Sequence, residues 1–483
     1  MNAKDDGLLC IEDLQKFFLK WNFFFKKKNF YIRNIKIDSR SIEKNSLFIA
    51  ISGKNNDGHN YIEDAISLGA TCIICEKKVF DILNVNFFVE KKNICFIVVD
   101  NSLIALQDLA RYKRQIMPNV KVIGITGNIG KTTTREMVKL AMKGFFKKVF
   151  TADNNHNNHI GLPLTIVNAP IDTECLILEL GMNHIGEIDF LTKIARPDVA
   201  IITSISPVHM ENFNDIHDIV NAKAEIFNGM KKEGNVILDK SSDFFSELVY
   251  LANKRGIKNI ITIGKNDADI CLNRYNFNDN FTTTYEILVN KRNIECNING
   301  FVKHNIINSL FAFGVAKVFN FDMKKVSLNL SKFEIVQGRG NLERKNINGK
   351  NIFIINDCYN SSPFALKSSI STLTEIKKKF PALHAIAVIG DMLELGKYSR
   401  KYHLEIADFL IKNNINKVVC IGDESKTIFD KLPNNFDKYF FHETKDFVKK
   451  IINFIQNNDL ILFKASHGMH FNCLIDELNK NSN

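Results

Sequence analysis

The chain has 483 residues, 45% of them apolar and 24% charged, which excludes a fibrous or disordered polymer and allows about three domains of about 150 residues each. The net charge of +11 comes from scattered lysines, with short runs only at Lys26–Lys28 and Lys377–Lys379. A nucleic-acid binder would cluster them with aromatics on one face, so no nucleic acid is expected and a field drawing in small anions is. No apolar run approaches the about 20 residues that cross a bilayer, and the N-terminus has no basic stretch before an apolar core, so a cytoplasmic protein without membrane insertion is expected.

In chain order, Ser46–Ala50, Thr71–Cys75 and Cys95–Asp100 read as strands, with Ile62–Leu68 a helix between two of them. Of the ten cysteines only Cys72 and Cys75 have the Cys-x-x-Cys spacing. A single such pair inside an apolar run reads as a buried strand rather than a zinc site. Met117-Pro118-Asn119 is a turn signal, and the strand Val120–Ile125 follows it. Leu176–Glu179, Val199–Thr203, Val236–Leu238 and Ile260–Ile263 are short β-branched runs of the kind that pack as buried parallel strands. Tyr285–Cys296 alternates like an antiparallel ribbon. A third block opens near Gly338, with candidate strands Ile352–Ile355, Ala385–Ile389, Lys417–Ile421 and Leu460–Phe463. The expected domains are therefore 1–116, 117–335 and 336–483, all α/β.

The most informative segment joins the strand at Val120 to a helix through Thr126-Gly127-Asn128-Ile129-Gly130-Lys131-Thr132-Thr133. Glycines let such a loop curl so that its N–H groups face phosphate oxygens, and the helix N-terminus adds a favourable field. Lys131 can then reach the β- and γ-phosphates of ATP, and the Thr132 hydroxyl can ligate Mg2+. The spacing departs from the common P-loop, because Ile125 stands where that pattern has Gly. Further on, Glu179 ends a buried strand, and a carboxylate there faces the crevice where α/β sheets bind ligands. It too is a candidate Mg2+ ligand.

The Thr-Gly-x-x-Gly-Lys-Thr-Thr loop resembles that of the Mur ligases and their folylpolyglutamate synthase relatives, and the resemblance extends over most of the chain. It implies a small N-terminal domain for a UDP-linked substrate, a central P-loop mononucleotide-binding domain on a parallel sheet, and a C-terminal Rossmann-like domain that closes on ATP and binds the amine. The segment Glu179-Leu180-Gly181-Met182-Asn183-His184-Ile185-Gly186-Glu187 is similar to the branch that joins D-alanyl-D-alanine to a UDP-N-acetylmuramoyl tripeptide through an acyl phosphate. Gly390-Asp391-Met392-Leu393-Glu394-Leu395-Gly396 is a further match to that branch.

Carried over residue by residue, the resemblance implies catalytic roles for Lys131, Glu179, His209 and Lys223, with Thr132, Glu179, His209 and a carbamylated Lys223 holding Mg2+. It places Gly127 to Thr133, Asn305, Arg339 and Asp357 on ATP, and Ser39, Arg40, Asn158 and His184 on the UDP substrate. It implies a monomer. The chain departs from the family at Lys464-Ala465-Ser466-His467, where relatives have Lys-Gly-Ser-Arg, at Asn472 in place of Glu, and at Ala365 in place of Ser. These changes fall on the amine side, while the phosphate and metal positions match. One alternative is the diamino acid-adding branch, whose Asp-Asn-Pro-Arg motif is missing here; another is a decayed homologue that binds nucleotide without turnover.

Overall fold

The computed structural model describes residues 8–26, 31–53, 55–81, 83, 85–152, 156–207, 212–213, 215–300 and 303–482. His209, named above as a candidate metal ligand, lies outside them. Among the described residues, a two-stranded antiparallel sheet of Leu9–Cys10 and Tyr31–Ile32 accompanies three larger sheets that follow one another along the chain. The first has five strands in the order Asn22–Phe24, Cys95–Val99, Ala70–Glu76, Ser46–Ile49, Asn34–Lys36. Its first strand runs antiparallel to its neighbour and the others are parallel. Cys72 packs on one side of this sheet and Cys75 on the other, so the two thiols cannot share an ion.

The central sheet has nine strands, in the order Arg292–Asn299, Thr282–Val289, Ile270–Phe277, Asn259–Gly264, Asn235–Asp239, Val199–Ile202, Lys121–Thr126, Cys175–Glu179, Val149–Thr151. The seven from Ile270–Phe277 onward pair in parallel, and the first two join that edge antiparallel. The antiparallel pair turns at Asn290-Lys291, both with positive φ, as a tight two-residue hairpin requires. The apolar ribbon read at Tyr285–Cys296 is this hairpin. The third sheet has six strands, ordered Asn341–Ile347, Lys350–Asn356, Asp459–Lys464, His384–Gly390, Lys417–Ile421, Asp437–Phe441, with only the first antiparallel.

Parallel strands buried on both faces need continuous apolar runs, and Cys175–Glu179 and Val199–Ile202 are buried throughout. Because every strand in such a sheet ends on the same edge, the chain leaving Thr126, Glu179 and Ile202 arrives at one crevice. No helix among the described residues is long and apolar enough to cross a membrane.

Candidate active site

The loop 127–130 leaves the strand Lys121–Thr126 and enters the helix Lys131–Ala141. Gly127 has φ +136, and a Cβ there would lie 2.1 Å from Thr203 Oγ1; Gly130 has φ +88, and its Cβ would lie 2.7 Å from Asn308 Oδ1. Neither position accepts a side chain, so the glycines are dictated by crowding as well as by conformation. The neighbouring strand end braces the loop. Asn128 N–H donates to Ser204 O (2.9 Å), Ile129 N–H to Ser204 Oγ (3.0 Å), and Thr203 Oγ1 donates to Ile129 O (2.6 Å).

Lys131 Nζ donates to Gly127 O (2.7 Å) and Asn128 O (3.2 Å), which folds the ammonium over the loop. Burial pushes its pKa down to about 8, with Glu179 opposing and Arg339 reinforcing the shift. Glu179 is 4% exposed. Its Oε2 lies 3.4 Å from Thr132 Oγ1 and its Oε1 lies 3.1 Å from Arg135 Nη1, yet Oε1 has no hydrogen-bond partner among the described residues. The guanidinium thus sits at ion-pair distance from Oε1 without a hydrogen bond to it. A buried carboxylate oxygen left open beside a hydroxyl suits a hard divalent cation.

The C-terminal domain completes the crevice. Arg339 Nη2 donates to Thr132 Oγ1 (3.2 Å), and the guanidinium lies 3.9 Å from the centre of the Tyr359 ring. Asp357 Oδ2 accepts from Ser369 Oγ (2.5 Å) and pairs with Lys464 Nζ at 2.8 Å. A cavity of about 260 Å³ lies between Lys131, Glu179, His304, Arg339, Asp357 and Lys464. A larger one, about 1260 Å³, meets it at Thr132, Arg339 and Tyr359.

A family model for the Mur ligase middle domain matches residues 125–316, one for the Mur ligase family catalytic domain matches 31–114, and one for the Mur ligase glutamate ligase domain matches 338–467. The UDP-N-acetylmuramoyl-tripeptide–D-alanyl-D-alanine ligase of Rickettsia prowazekii is 34% identical over 92% of this chain and 94% of its own. The chain belongs to the Mur ligase family. The ligase of the same name from Bacillus subtilis is 32% identical over 92% of this chain and 93% of its own. A solved MurF ligase from Thermotoga maritima in complex with ADP superposes with TM-score 0.77 at 26% identity, over 93% of this chain and 97% of that one. MurF from Acinetobacter baumannii, 23% identical with 98% of each chain covered, gives TM-score 0.83 and shares the fold.

Within this Mur ligase, the crevice gathers Asn128 to Thr133, Glu179, Arg339 and Asp357 from separate strands and domains, while Gly127 sits behind it against Thr203. Lys223, on the helix Ile216–Ala224, is 2% exposed, and burial reinforced by the Lys131 charge drives its pKa well below the ordinary lysine value. Asn305 is 1% exposed with both side-chain polar atoms unpartnered among the described residues. Asn158 and His184 are exposed. Asn158 Oδ1 caps the helix Gly161–Asn168 through Ile160 N–H and Gly161 N–H, and it also lines a cavity of about 370 Å³ with Gln107 and Glu187. Ser39 and Arg40 stand apart on the N-terminal domain, with Arg40 forked onto Asp38 at 2.7 Å.

Several site residues escaped sequence reasoning. Asn157 lines the smaller cavity, and its carbonyl accepts from Gly181 N–H. Asn308 carries an Nδ2 beside the loop that has no partner among the described residues. His304 bonds Ser368 through Nδ1 (3.2 Å), and burial lowers its pKa to about 4, so it is neutral at pH 7. His304, Asn305 and Asn308 belong to a Gly-x-x-x-His-Asn-x-x-Asn stretch that resembles a turn of the Mur ligases, and the Asn-x-x-Asn spacing puts the last two on one helix face. Cys358 donates to Asn356 Oδ1 (2.8 Å) and Asn472 Oδ1 (3.1 Å), and burial raises its thiol to about 11. It is a packed structural thiol, and Asn472 serves as its acceptor.

Proposed function

We propose that this chain joins D-alanyl-D-alanine to UDP-N-acetylmuramoyl tripeptide at the expense of ATP, as a cytoplasmic monomer in peptidoglycan precursor synthesis. The observation that carries the reading is the convergence of the phosphate loop and Glu179 with Arg339 and Asp357 of the C-terminal domain on one cavity. The relatives' names supply the substrates.

ATP lies with its phosphates over the loop amides and Lys131, and with its nucleoside between Asn305 and Asp357. Thr132 and Glu179 would hold one Mg2+, and His209 and Lys223 a second; such ions would supply positive charge to offset that of the phosphate oxygens. Lys223 fits its part because burial favours the neutral amine, whose nitrogen can add CO2 and lose a proton to become a carboxylate-like ligand.

The terminal carboxylate of the tripeptide attacks the γ-phosphorus, the bond to the β–γ bridging oxygen breaks, and ADP is released from the acyl phosphate. Lys131 and Arg339 offset the charge spread over the transferring group. The dipeptide amine attacks the acyl carbon and loses a proton, and the tetrahedral adduct collapses to amide and phosphate. Arg339 and Tyr359 close the crevice against water, which would otherwise hydrolyse the acyl phosphate. The UDP-sugar lies along the N-terminal domain near Ser39 and Arg40, with its peptide passing Asn158 and His184 and the cavity at Gln107.

Phosphate release from ATP, followed with tripeptide substrate in the presence and absence of D-alanyl-D-alanine, tests this. Release that requires both substrates is expected. Release with a free diamino acid in place of the dipeptide would reassign the amine, and nucleotide binding without any release would make the chain a binding protein.

A further inference from the structure

Resting on the assignment of Glu179 as a metal ligand, we infer that Arg135 is the counter-ion that occupies Glu179 until nucleotide arrives, so that the metal enters only together with the phosphates. The arrangement is specific. Arg135 is 4% exposed. Its Nε and Nη2 both donate to Glu136 Oε1, at 2.9 and 2.7 Å, while Nη1 faces Glu179 Oε1 at 3.1 Å. The two side chains of that second pair are 5% and 2% exposed. Glu136 thus fixes the guanidinium from one side, one position along the same helix, and leaves Nη1 at ion-pair distance from the metal-binding oxygen.

Charge sets the consequence. Lys131, Arg135 and Arg339 surround the buried carboxylate of Glu179, and Arg135 is also paired with Glu136. A free divalent cation reaching Thr132 and Glu179 would add two charges to a cluster in which three cations already outnumber the carboxylates of Glu179 and Glu136, in a place that water screens poorly. The same cation carried by a triphosphate brings its own compensation. Arg135 therefore favours entry of the metal–nucleotide complex over entry of the bare ion, and it acts by positioning and neutralising Glu179 rather than by touching substrate.

Mn2+ binding to the nucleotide-free full-length chain, read from loss of the free-ion electron paramagnetic resonance signal, tests this. Arg135→Gln is expected to gain a site about ten-fold or more tighter than any in the parent chain at that position. Arg135→Met, which removes the charge with less polarity, should gain it too, while Arg135→Lys should bind as the parent does. The gained site should vanish in the double variant Arg135→Gln/Glu179→Gln. An unchanged isotherm in both charge-removing variants, an equal gain in Arg135→Lys, or a gain that survives loss of Glu179 would each overturn the inference. Failure of the underlying assignment reads differently: Glu179→Gln alone would then leave the affinity for Mn2+ with ATP unchanged.

Discussion

Lys131 is the residue whose chemistry is most exposed to test. In the folded chain its ammonium loses a proton near pH 8, whereas an unhindered lysine holds it to 10.5. Between those values the unfolded chain binds a proton that the folded chain has released, so this group makes stability rise with pH across that window. Nucleotide reverses the preference, because phosphate favours the charged amine. ADP affinity is expected to be level below pH 8 and to fall as the pH passes from 8 to 10, with proton uptake visible by calorimetry in buffers of different ionisation enthalpy. Lys131→Arg should flatten that fall, since a guanidinium stays charged throughout. A pH-independent affinity in the parent chain would show that the lysine does not meet the phosphates.

Among elements, the turn from the strand Lys121–Thr126 into the helix Lys131–Ala141 is the least tolerant. Gly130→Ala would place a methyl in a left-handed conformation and 2.7 Å from Asn308 Oδ1. The conformation alone costs about 1–2 kcal/mol, and the displaced Asn308 should weaken ADP binding as well, so melting temperature and ADP affinity are expected to fall together. A variant that melts lower but binds ADP normally would separate the loop's shape from its function. This turn was legible in the sequence because strand, glycines, lysine and helix are contiguous. The continuous β-branched strands were legible for a similar reason. Edge strands were not: Asn341–Ile347 reads as polar because it lies at the sheet's end, and Asn22–Phe24 and Val149–Thr151 are too short to show a period. Arg135, Asn157 and His304 stayed hidden because their partners lie far along the chain, and no spacing announces a contact made only by folding.

At the scale of the molecule, two of the places where described residues of the central and C-terminal domains meet can be tested separately. One is the cavity. The other is the hairpin tip between Ile270–Phe277 and Thr282–Val289, where Phe281 lies 5.5 Å from both Phe353 and Phe380 and Asp279 pairs with Lys379 at 3.0 Å. Two such ring contacts contribute about 0.5–1.5 kcal/mol each beyond their buried area. Phe281→Ala is expected to uncouple the domains, so that one thermal transition becomes two in calorimetry while ADP affinity for the central domain changes little. A single transition at the original temperature would mean that the cavity contacts alone hold the domains together.

The hydrogen bond from Arg339 to Thr132 joins the C-terminal domain to the first turn of the helix behind the phosphate loop. Under the proposed closure of that domain over ATP, spent ADP is expected to stay until the domain swings back, with turnover set by a hinge moving through solvent. Adding a small viscogen such as sucrose should slow kcat in proportion to the viscosity, leaving single-turnover chemistry untouched. On that footing the enzyme's speed in a crowded cell is a property of the surrounding fluid as much as of its own catalytic groups.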